Sequence, residues 1–255
     1  MPACETPPRP TAPAGRLLVL ICTYNEAGNL ERLVREILLA APDAAVLVMD
    51  DQSPDGTARL AQRLAEDDPR IEVVVREGER GLGLAMREGL VHAIEHGYDH
   101  VLNLDADFSH PPASIPALRS LMDRCDVAIG SRYVAGGAIV GWSWRRRLAS
   151  RLVNGYARWM VGIPVRDCSG SFRCYRVEKL RAIDWAAFRA HGFAFLEELL
   201  WRCRQAGATF CETPITFVDR RTGRSKATWR ETCTALRDLL RLTWDAWCGP
   251  RRRTP

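Results

Sequence analysis

Two carboxylates separated by a single residue are the most informative feature of the sequence. Asp105 and Asp107 directly follow an apolar run, so both side chains can point at a common centre. Carboxylate oxygens are ligands that Mg²⁺ and Mn²⁺ prefer, and such an ion can bridge a diphosphate. In isolation, such a pair is more often a surface turn that caps the next helix, which Pro111 and Pro112 would fit. The apolar run and the acids elsewhere in the chain favour the metal site.

A second acidic pair, Asp50 and Asp51, ends another apolar run and leads into a turn over residues 52–57. A carboxylate at this point can accept hydrogen bonds from a nucleoside base or from ribose hydroxyls. The structural alternative is a turn in which Asp55 or Thr57 caps the next helix. Both interpretations can hold together, with Asp51 as the binding residue and Asp55 as the structural one.

Basic residues that could bind phosphate lie in two places later in the chain. Arg132 belongs to the motif GSRY, and a basic loop follows over residues 219–226. A guanidinium matches phosphate oxygens with two parallel hydrogen bonds, whereas a lysine acts as a point charge. Runs of charge are also commonly solvated surface, which stays the alternative for Arg221 and Arg224.

Other residue types argue against several classes of protein. Residues 81–89 are glycine-rich but lack the spacing of a phosphate cradle, so close helix packing is predicted there rather than a nicotinamide site. The nine cysteines include no C-x-x-C pair, which argues against a disulfide framework or structural zinc and favours a reducing compartment. The formal net charge of +5 is too small to indicate a nucleic-acid partner.

The elements that must position these residues alternate between strand and helix. Apolar runs predict strands over 17–22, 45–50, 71–75, 100–104 and 126–130, and amphipathic patterns predict helices over 29–40, 56–67, 83–96, 193–206 and 229–247. This alternation is typical of a mostly parallel sheet with helices on both faces, in which ligands bind beyond the carboxyl ends of the strands. We therefore predict a single Rossmann-like α/β domain over 16–248, with a disordered tail over 1–15 and a basic tail over 249–255.

Seven blocks of the sequence can be matched to a known family: TYNEAGNL, DDQSPDGT, GLGLAMREG, DADFSHPP, GSRYVAGG, DCSGSFRCYR and PITFVDRRTGRSK. Over residues 16–247 the chain resembles the soluble catalytic type of dolichyl-phosphate mannose synthase, among the family 2 glycosyltransferases of the GT-A fold. The first, second and fourth blocks recur across many family 2 enzymes. The last two, with GSRY and the pair Gly141-Trp142, resemble the polyprenyl-phosphate sugar synthases more narrowly.

The resemblance implies a reaction. Mannose would pass from GDP-mannose to the phosphate of a polyprenyl or dolichyl monophosphate, with Mg²⁺ or Mn²⁺ and with inversion to a β-linked product. A phosphate nucleophile is already anionic near neutral pH, so positioning and charge screening matter more than a strong general base. A synthase that uses UDP-glucose and a non-catalytic sugar-nucleotide-binding subunit are the alternatives.

The resemblance also assigns roles to residues. The nucleotide sugar would be bound by Tyr24, Glu26, Asp51, Asp105, Asp107 and Arg132, with Ser109 close by. The metal ion would be held by Asp105 and Asp107. The catalytic set would be Asp107, Arg132, Arg220 and Lys226, of which the last three would bind donor or acceptor phosphate.

A lipid acceptor requires contact with a bilayer. Residues 138–161 and 229–247 interleave tryptophans with arginines, which suits helices at a membrane interface. Ordinary core-facing helices and a membrane-anchored partner subunit are the alternatives. No stretch approaches the ~20 apolar residues of a membrane-spanning helix, so we predict a peripheral protein on the cytoplasmic face of a membrane.

Overall fold

The structure is a computed structural model that describes residues 15–190, 192, 194–219 and 229–248. Its strands are β1 (Leu17–Thr23), β2 (Ala45–Asp50), β3 (Ile71–Val75), β4 (His100–Asp105), β5 (Val127–Ser131), β6 (Ala138–Val140), β7 (Arg173–Arg176), β8 (Phe210–Pro214) and β9 (Thr216–Val218). Its α-helices are α1 (Ala27–Ala40), α2 (Thr57–Asp67), α3 (Leu82–Glu95), α4 (Ile115–Ser120), α5 (Trp144–Tyr156), α6 (Val177–Arg181), α7 (Phe195–Gln205) and α8 (Trp229–Cys248). The predicted tails, apart from Gly15, and residues 220–226 of the basic loop lie outside the described residues.

Seven strands form one sheet in the order β3-β2-β1-β4-β7-β5-β8, and β6 pairs with β9 in a separate sheet. The pairs within the large sheet are parallel except at β7, which runs antiparallel to both β4 and β5. The predicted single α/β domain with a mostly parallel sheet is therefore confirmed. The direction of β7 was not predicted, because a four-residue strand carries no signal of its orientation.

Strand β1 is buried on both faces, as an unbroken apolar run in a parallel sheet must be. Leu18 and Leu20 pack into one hydrophobic cluster, which includes residues of α3. Val19 and Ile21 point the other way into a second cluster, which includes residues of α1. The alternation along β1 confirms the predicted layers of helices on both faces of the sheet.

Helix α3 lies close against β1 at Gly89. A Cβ at this position would come within 2.7 Å of Leu20 Cδ2 and closer still to Cδ1. Because Leu20 is fully buried, its side chain has little room to move away. The glycine-rich stretch over 81–89 thus serves close helix packing, as the sequence predicts.

None of the helices within the described ranges is both long enough and apolar enough to cross a membrane.

Replacing Gly89 with valine should force the helix and strand apart. We expect Gly89→Val to lower the free energy of unfolding by about 1–3 kcal/mol, measured by urea titration. Gly28→Val on α1 is the matched control, because a Cβ there meets nothing within 4 Å, and it should change stability by less than about 0.5 kcal/mol. Equal urea midpoints for the two variants would contradict close packing at Gly89.

Candidate active site

The carboxyl ends of three parallel strands meet at one edge of the sheet. In the strand register Thr23 pairs with Asp50, and Cys22 pairs with Asp105. The loops that follow β1, β2 and β4 therefore start side by side. These loops carry the acids that the sequence singles out.

Two structural carboxylates hold the turn after β2. Asp50 is fully buried and accepts hydrogen bonds from Ser53 Oγ at 2.6 Å and from the Ser53 N–H at 2.8 Å. Asp55 accepts from the N–H of Thr57 at 3.0 Å and from the N–H of Ala27 at 3.1 Å, so it holds the starts of α2 and α1 together. Burial would raise the pKa of Asp55, but hydrogen bonds from Thr57 and Ala27 outweigh it and lower that pKa. The structural role predicted for Asp55 is confirmed.

Asp51, the predicted nucleoside ligand, is paired inside the protein. Its carboxylate accepts hydrogen bonds from the Arg76 guanidinium and, at 2.9 Å, from the N–H of Gly81. Arg76 also donates to the exposed Glu88 at 2.7 Å through Nη2. Sequence reasoning missed Arg76, although an arginine directly after β3 stands at the same sheet edge as the acids. Its effect is to fix the orientation of the Asp51 carboxylate.

Tyr24 and Glu26 lie on the loop after β1, beside the turn that carries Asp51. The Tyr24 hydroxyl accepts a hydrogen bond from Arg80 at 3.0 Å, and the same guanidinium lies 5.0 Å from the centre of the tyrosine ring. Glu26 accepts a hydrogen bond from Asn29 Nδ2 at 2.9 Å. Arg80 is a second cation that sequence reasoning missed at this side of the site.

Asp105 is the last residue of β4, Asp107 follows two positions later, and both are partly exposed. Asp105 Oδ1 accepts a hydrogen bond from Ser171 Oγ at 2.7 Å, and Asp107 Oδ1 accepts one from the N–H of Ser109 at 3.0 Å. A carboxylate offers about four lone-pair positions, so the bond to Ser171 leaves Asp105 capacity for a cation. His110 Nδ1 lies 3.8 Å from Asp105 Oδ2 and accepts a hydrogen bond from the Asp105 N–H. Burial lowers the pKa of His110 and outweighs the charges of Asp105 and Asp107, which would raise it.

This pair of carboxylates fits an ion that arrives with a substrate. In the described part of the chain, no group of three or more histidine, cysteine or acidic side chains could hold a metal by itself. Mg²⁺ is commonly bound by one or two carboxylates together with substrate phosphates. Next to Asp107, the Ser109 hydroxyl is buried and makes no hydrogen bond to any described residue. These oxygens suit a metal diphosphate and do not form a permanent metal cage.

Arg132 forms a buried ion pair with Asp167. Nε and Nη2 of Arg132 donate to the two carboxylate oxygens at 2.7 and 2.6 Å, and Nη2 also donates to Ser169 Oγ at 2.9 Å. Burial would raise the pKa of Asp167, but the guanidinium outweighs it and holds that pKa below its usual value. Since these bonds use Nε and Nη2, Nη1 is the atom of Arg132 that can contact a phosphate.

The loop that carries Asp167 is fixed from two sides. Asn154 of α5 accepts hydrogen bonds from the N–H groups of Cys168 at 2.5 Å and Ser169 at 3.2 Å. Glu212 of β8 accepts from the N–H of Asp167 at 3.1 Å. The position of the Arg132 guanidinium therefore depends on α5 and β8. Sequence reasoning missed Asn154, because an asparagine within a helix gives no sign of a partner loop.

A cleft of about 440 Å³ opens beside this ion pair. Four arginines line it: Arg132, Arg151, Arg158 and Arg166. The other described residues of the lining are neutral and include Asn154 and Trp159. Arg132 is paired with Asp167, whereas the other three arginines make no ion pair with a described acid. Such guanidinium groups suit a phosphate or another oxyanion. The predicted cations Arg220 and Lys226 lie outside the described residues.

The strand order and one aromatic side chain connect these groups into one site. Strand β4, which ends at Asp105, lies between β1 and β7, and β2, which Asp51 directly follows, lies on the far side of β1. The Phe217 ring lies 5.4 Å from the His110 ring and 5.4 Å from the Arg132 guanidinium. Asp105 therefore lies between Asp51 on one side and the buried ion pair on the other.

The comparisons with known proteins agree with this geometry. The family model described as "Glycosyl transferase family 2" matches residues 18–184. The chain belongs to glycosyl transferase family 2. A relative in the family, the polyprenol monophosphomannose synthase of Mycolicibacterium smegmatis, is 41% identical over 86% of this chain and 83% of its own. The undecaprenyl-phosphate mannosyltransferase of Micrococcus luteus is 39% identical over 83% of this chain and 87% of its own.

Solved structures support the GT-A fold of this family 2 chain. Glucosyl-3-phosphoglycerate synthase from Mycobacterium tuberculosis, in complex with Mn²⁺, UDP and glucosyl-3-phosphoglycerate, matches with a TM-score of 0.64 at 16% identity. The match covers 92% of this chain and 81% of that chain. At this identity the likeness concerns the fold, and the predicted GT-A architecture is confirmed.

The buried ion pair generates a prediction about stability. Asp167→Ala leaves the Arg132 guanidinium buried without its counter-charge, so we expect the free energy of unfolding to fall by about 3–5 kcal/mol. Adding Arg132→Met should recover part of that loss. The control Glu36→Gln breaks the exposed Arg32–Glu36 pair of 2.9 Å, and should cost less than about 1 kcal/mol. A loss at Asp167 no larger than the control's would contradict the pairing.

Glu197, in the first turn of α7, generates a prediction about pH. It is buried, its Oε2 has no hydrogen-bond partner among the described residues, and burial raises its pKa to about 7. The folded protein therefore binds this proton more tightly than the unfolded chain, whose value is near 4.5. Its contribution to stability is present below that value and is lost as the pH rises through about 7.

We therefore expect Glu197→Gln to increase the free energy of unfolding by about 1–3 kcal/mol at about pH 8 and to change it little at about pH 5. Urea titrations at the two pH values measure the difference. The control is Glu95→Gln, at an exposed position. Its effect on the free energy of unfolding should be the same at both pH values. A Glu197→Gln effect that does not vary with pH would rule out this titration.

Proposed function

We propose that this chain transfers mannose from GDP-mannose to the phosphate of a polyprenyl monophosphate, on the cytoplasmic face of a membrane. The observation that carries the proposal is the four-arginine cleft, which one loop connects to the acidic site: Asp167 of that loop pairs with Arg132 of the cleft, and its Ser171 donates a hydrogen bond to Asp105. An acidic part suits a metal diphosphate, and a basic part suits a phosphate acceptor. The names of the two mannosyltransferase relatives support this choice of sugar and lipid.

On the donor side, Asp105 and Asp107 would hold the ion, with the Ser109 hydroxyl near the diphosphate. Mg²⁺ or Mn²⁺ bound there would stabilise the charge that develops on the departing nucleoside diphosphate. Tyr24 and Asp51 would bind the nucleoside. Because Arg76 fixes the carboxylate of Asp51, that group is oriented before the nucleotide binds.

On the acceptor side, the arginines of the cleft would position the lipid phosphate for in-line attack on the anomeric carbon. An anionic phosphate needs no strong general base. Arg132 lies between the two sides, since it lines the cleft and its guanidinium is 5.4 Å from the Phe217 ring, which also contacts His110 beside Asp105. Attack from the opposite side to the leaving group inverts the anomeric centre. Arg220 and Lys226 are proposed as further phosphate ligands.

The test is transfer of radiolabelled sugar into a lipid fraction by the purified chain. We expect label from GDP-mannose with Mn²⁺ or Mg²⁺ and none with a chelator. Label from UDP-glucose alone would show that the donor is UDP-glucose and would leave the proposed site unchanged. Label from neither donor would favour a non-catalytic subunit. Asp107→Asn should lower kcat by about 100-fold or more without unfolding the protein. The control Asp67→Asn, at an exposed position on α2, should keep wild-type activity.

A further inference from the structure

Helix α5 is almost entirely uncovered. Of its residues only Asn154 is buried, although helices in proteins gain most of their stability from packing an apolar face. Trp144, Leu148 and Leu152 are 69%, 49% and 65% exposed. Their spacing of four residues places them in one stripe on the helix. Such a stripe of large apolar side chains marks an interaction surface.

The stripe continues onto the end of the chain. After α5, a π-helical turn (Ala157–Val161) exposes Trp159 and Met160. Trp247 of α8 donates a hydrogen bond from Nε1 to the Met160 carbonyl at 2.6 Å, and both Trp247 and Trp244 are strongly exposed. The two helices therefore share one surface. We call it the aromatic face, and it consists of Trp144, Leu148, Leu152, Trp159, Met160, Trp244 and Trp247.

The charge around this face has a single sign along α5. Residues 144–161 contain no acid and five arginines: Arg145, Arg146, Arg147, Arg151 and Arg158. Tryptophan favours the boundary between headgroups and acyl chains, and arginine buries its stem there while its guanidinium contacts lipid phosphates. Each basic group near an anionic bilayer adds to the electrostatic attraction between the protein and the membrane. Arg146 pairs with Asp219 at 3.0 Å, whereas Arg145, Arg147, Arg151 and Arg158 make no ion pair with a described acid. This combination of bulky aromatics and arginines fits an anionic lipid surface.

The aromatic face also borders the four-arginine cleft. Arg151, Arg158 and Trp159 line the cleft and belong to the same segment as the stripe. A phosphate held in the plane of a membrane beneath this face would therefore meet the mouth of the cleft. We propose that the aromatic face binds an anionic bilayer directly, without a partner subunit, and so presents the cleft to lipid phosphates. The link to the cleft rests on the proposed function, whereas the binding to lipid does not.

The test is flotation of the full chain with phosphatidylcholine vesicles, with and without phosphatidylglycerol, in the absence of donor, acceptor and metal. We expect binding to the anionic vesicles that weakens as salt is raised. The triple variant Trp144→Ser, Leu148→Ser, Leu152→Ser should bind at least about tenfold more weakly and keep its urea midpoint, because these side chains are exposed. Leu39→Ser, 75% exposed on α1, is the matched control and should bind like the wild type. Failure of the wild type to float, or equal flotation of the triple variant, would overturn the proposal.

A second measurement separates this proposal from the proposed function. The triple variant should transfer sugar normally to a short-chain, water-soluble polyprenyl phosphate and poorly to the same phosphate in anionic vesicles. Equal losses on both acceptors would overturn the docking role. A wild type that floats but transfers sugar to neither acceptor would leave lipid binding in place and refute the proposed reaction.

Discussion

A carboxylate that is removed from water has to be paired or hydrogen-bonded, and this requirement organises the active edge of the sheet. Parallel strands deliver several acids to that edge together. Arg76 pairs with Asp51 on one side, and Arg132 pairs with Asp167 on the other. Between these two pairs, the described partners of the Asp105 carboxylate are the Ser171 hydroxyl and the His110 ring, neither of which is a fixed cation. The charge balance of the edge thus leaves its centre suited to a cation.

The buried pair of Arg132 and Asp167 joins the two parts of the site. Such a pair gives little net stability, because the cost of removing both charges from water offsets their attraction. Its value lies in geometry, since two parallel hydrogen bonds set the plane of the guanidinium. Asn154 and Glu212 hold the loop beneath it. Without these contacts the Arg132 side chain could adopt many conformations. With them, its guanidinium is held between the acidic end of β4 and the basic cleft.

Much of this arrangement could be predicted from the sequence, because strands and short motifs are local. The apolar runs gave the strands within one or two residues, and the acids at their ends fell at one edge, as with Asp105 after β4. The partners could not be predicted, since Arg76 is 25 residues from Asp51 and Asn154 is 14 residues from Cys168. Only the folded chain brings such residues into contact. The sequence also could not decide whether the apolar stripe of α5 is exposed, because the same pattern fits a core-facing helix.

The reversed direction of β7 has a consequence for how such proteins can change. For the parallel strands, the loop after the strand lies at the active edge. For β7, the loop before the strand lies there, and this loop carries Asp167. The loops after β1, β2 and β4 come from the first half of the chain, and the cleft and its supports come from the second. The two halves share both hydrophobic clusters of the core, but their loops reach the active edge separately. Selection can therefore exchange the molecule that enters the cleft while the nucleotide half is inherited intact.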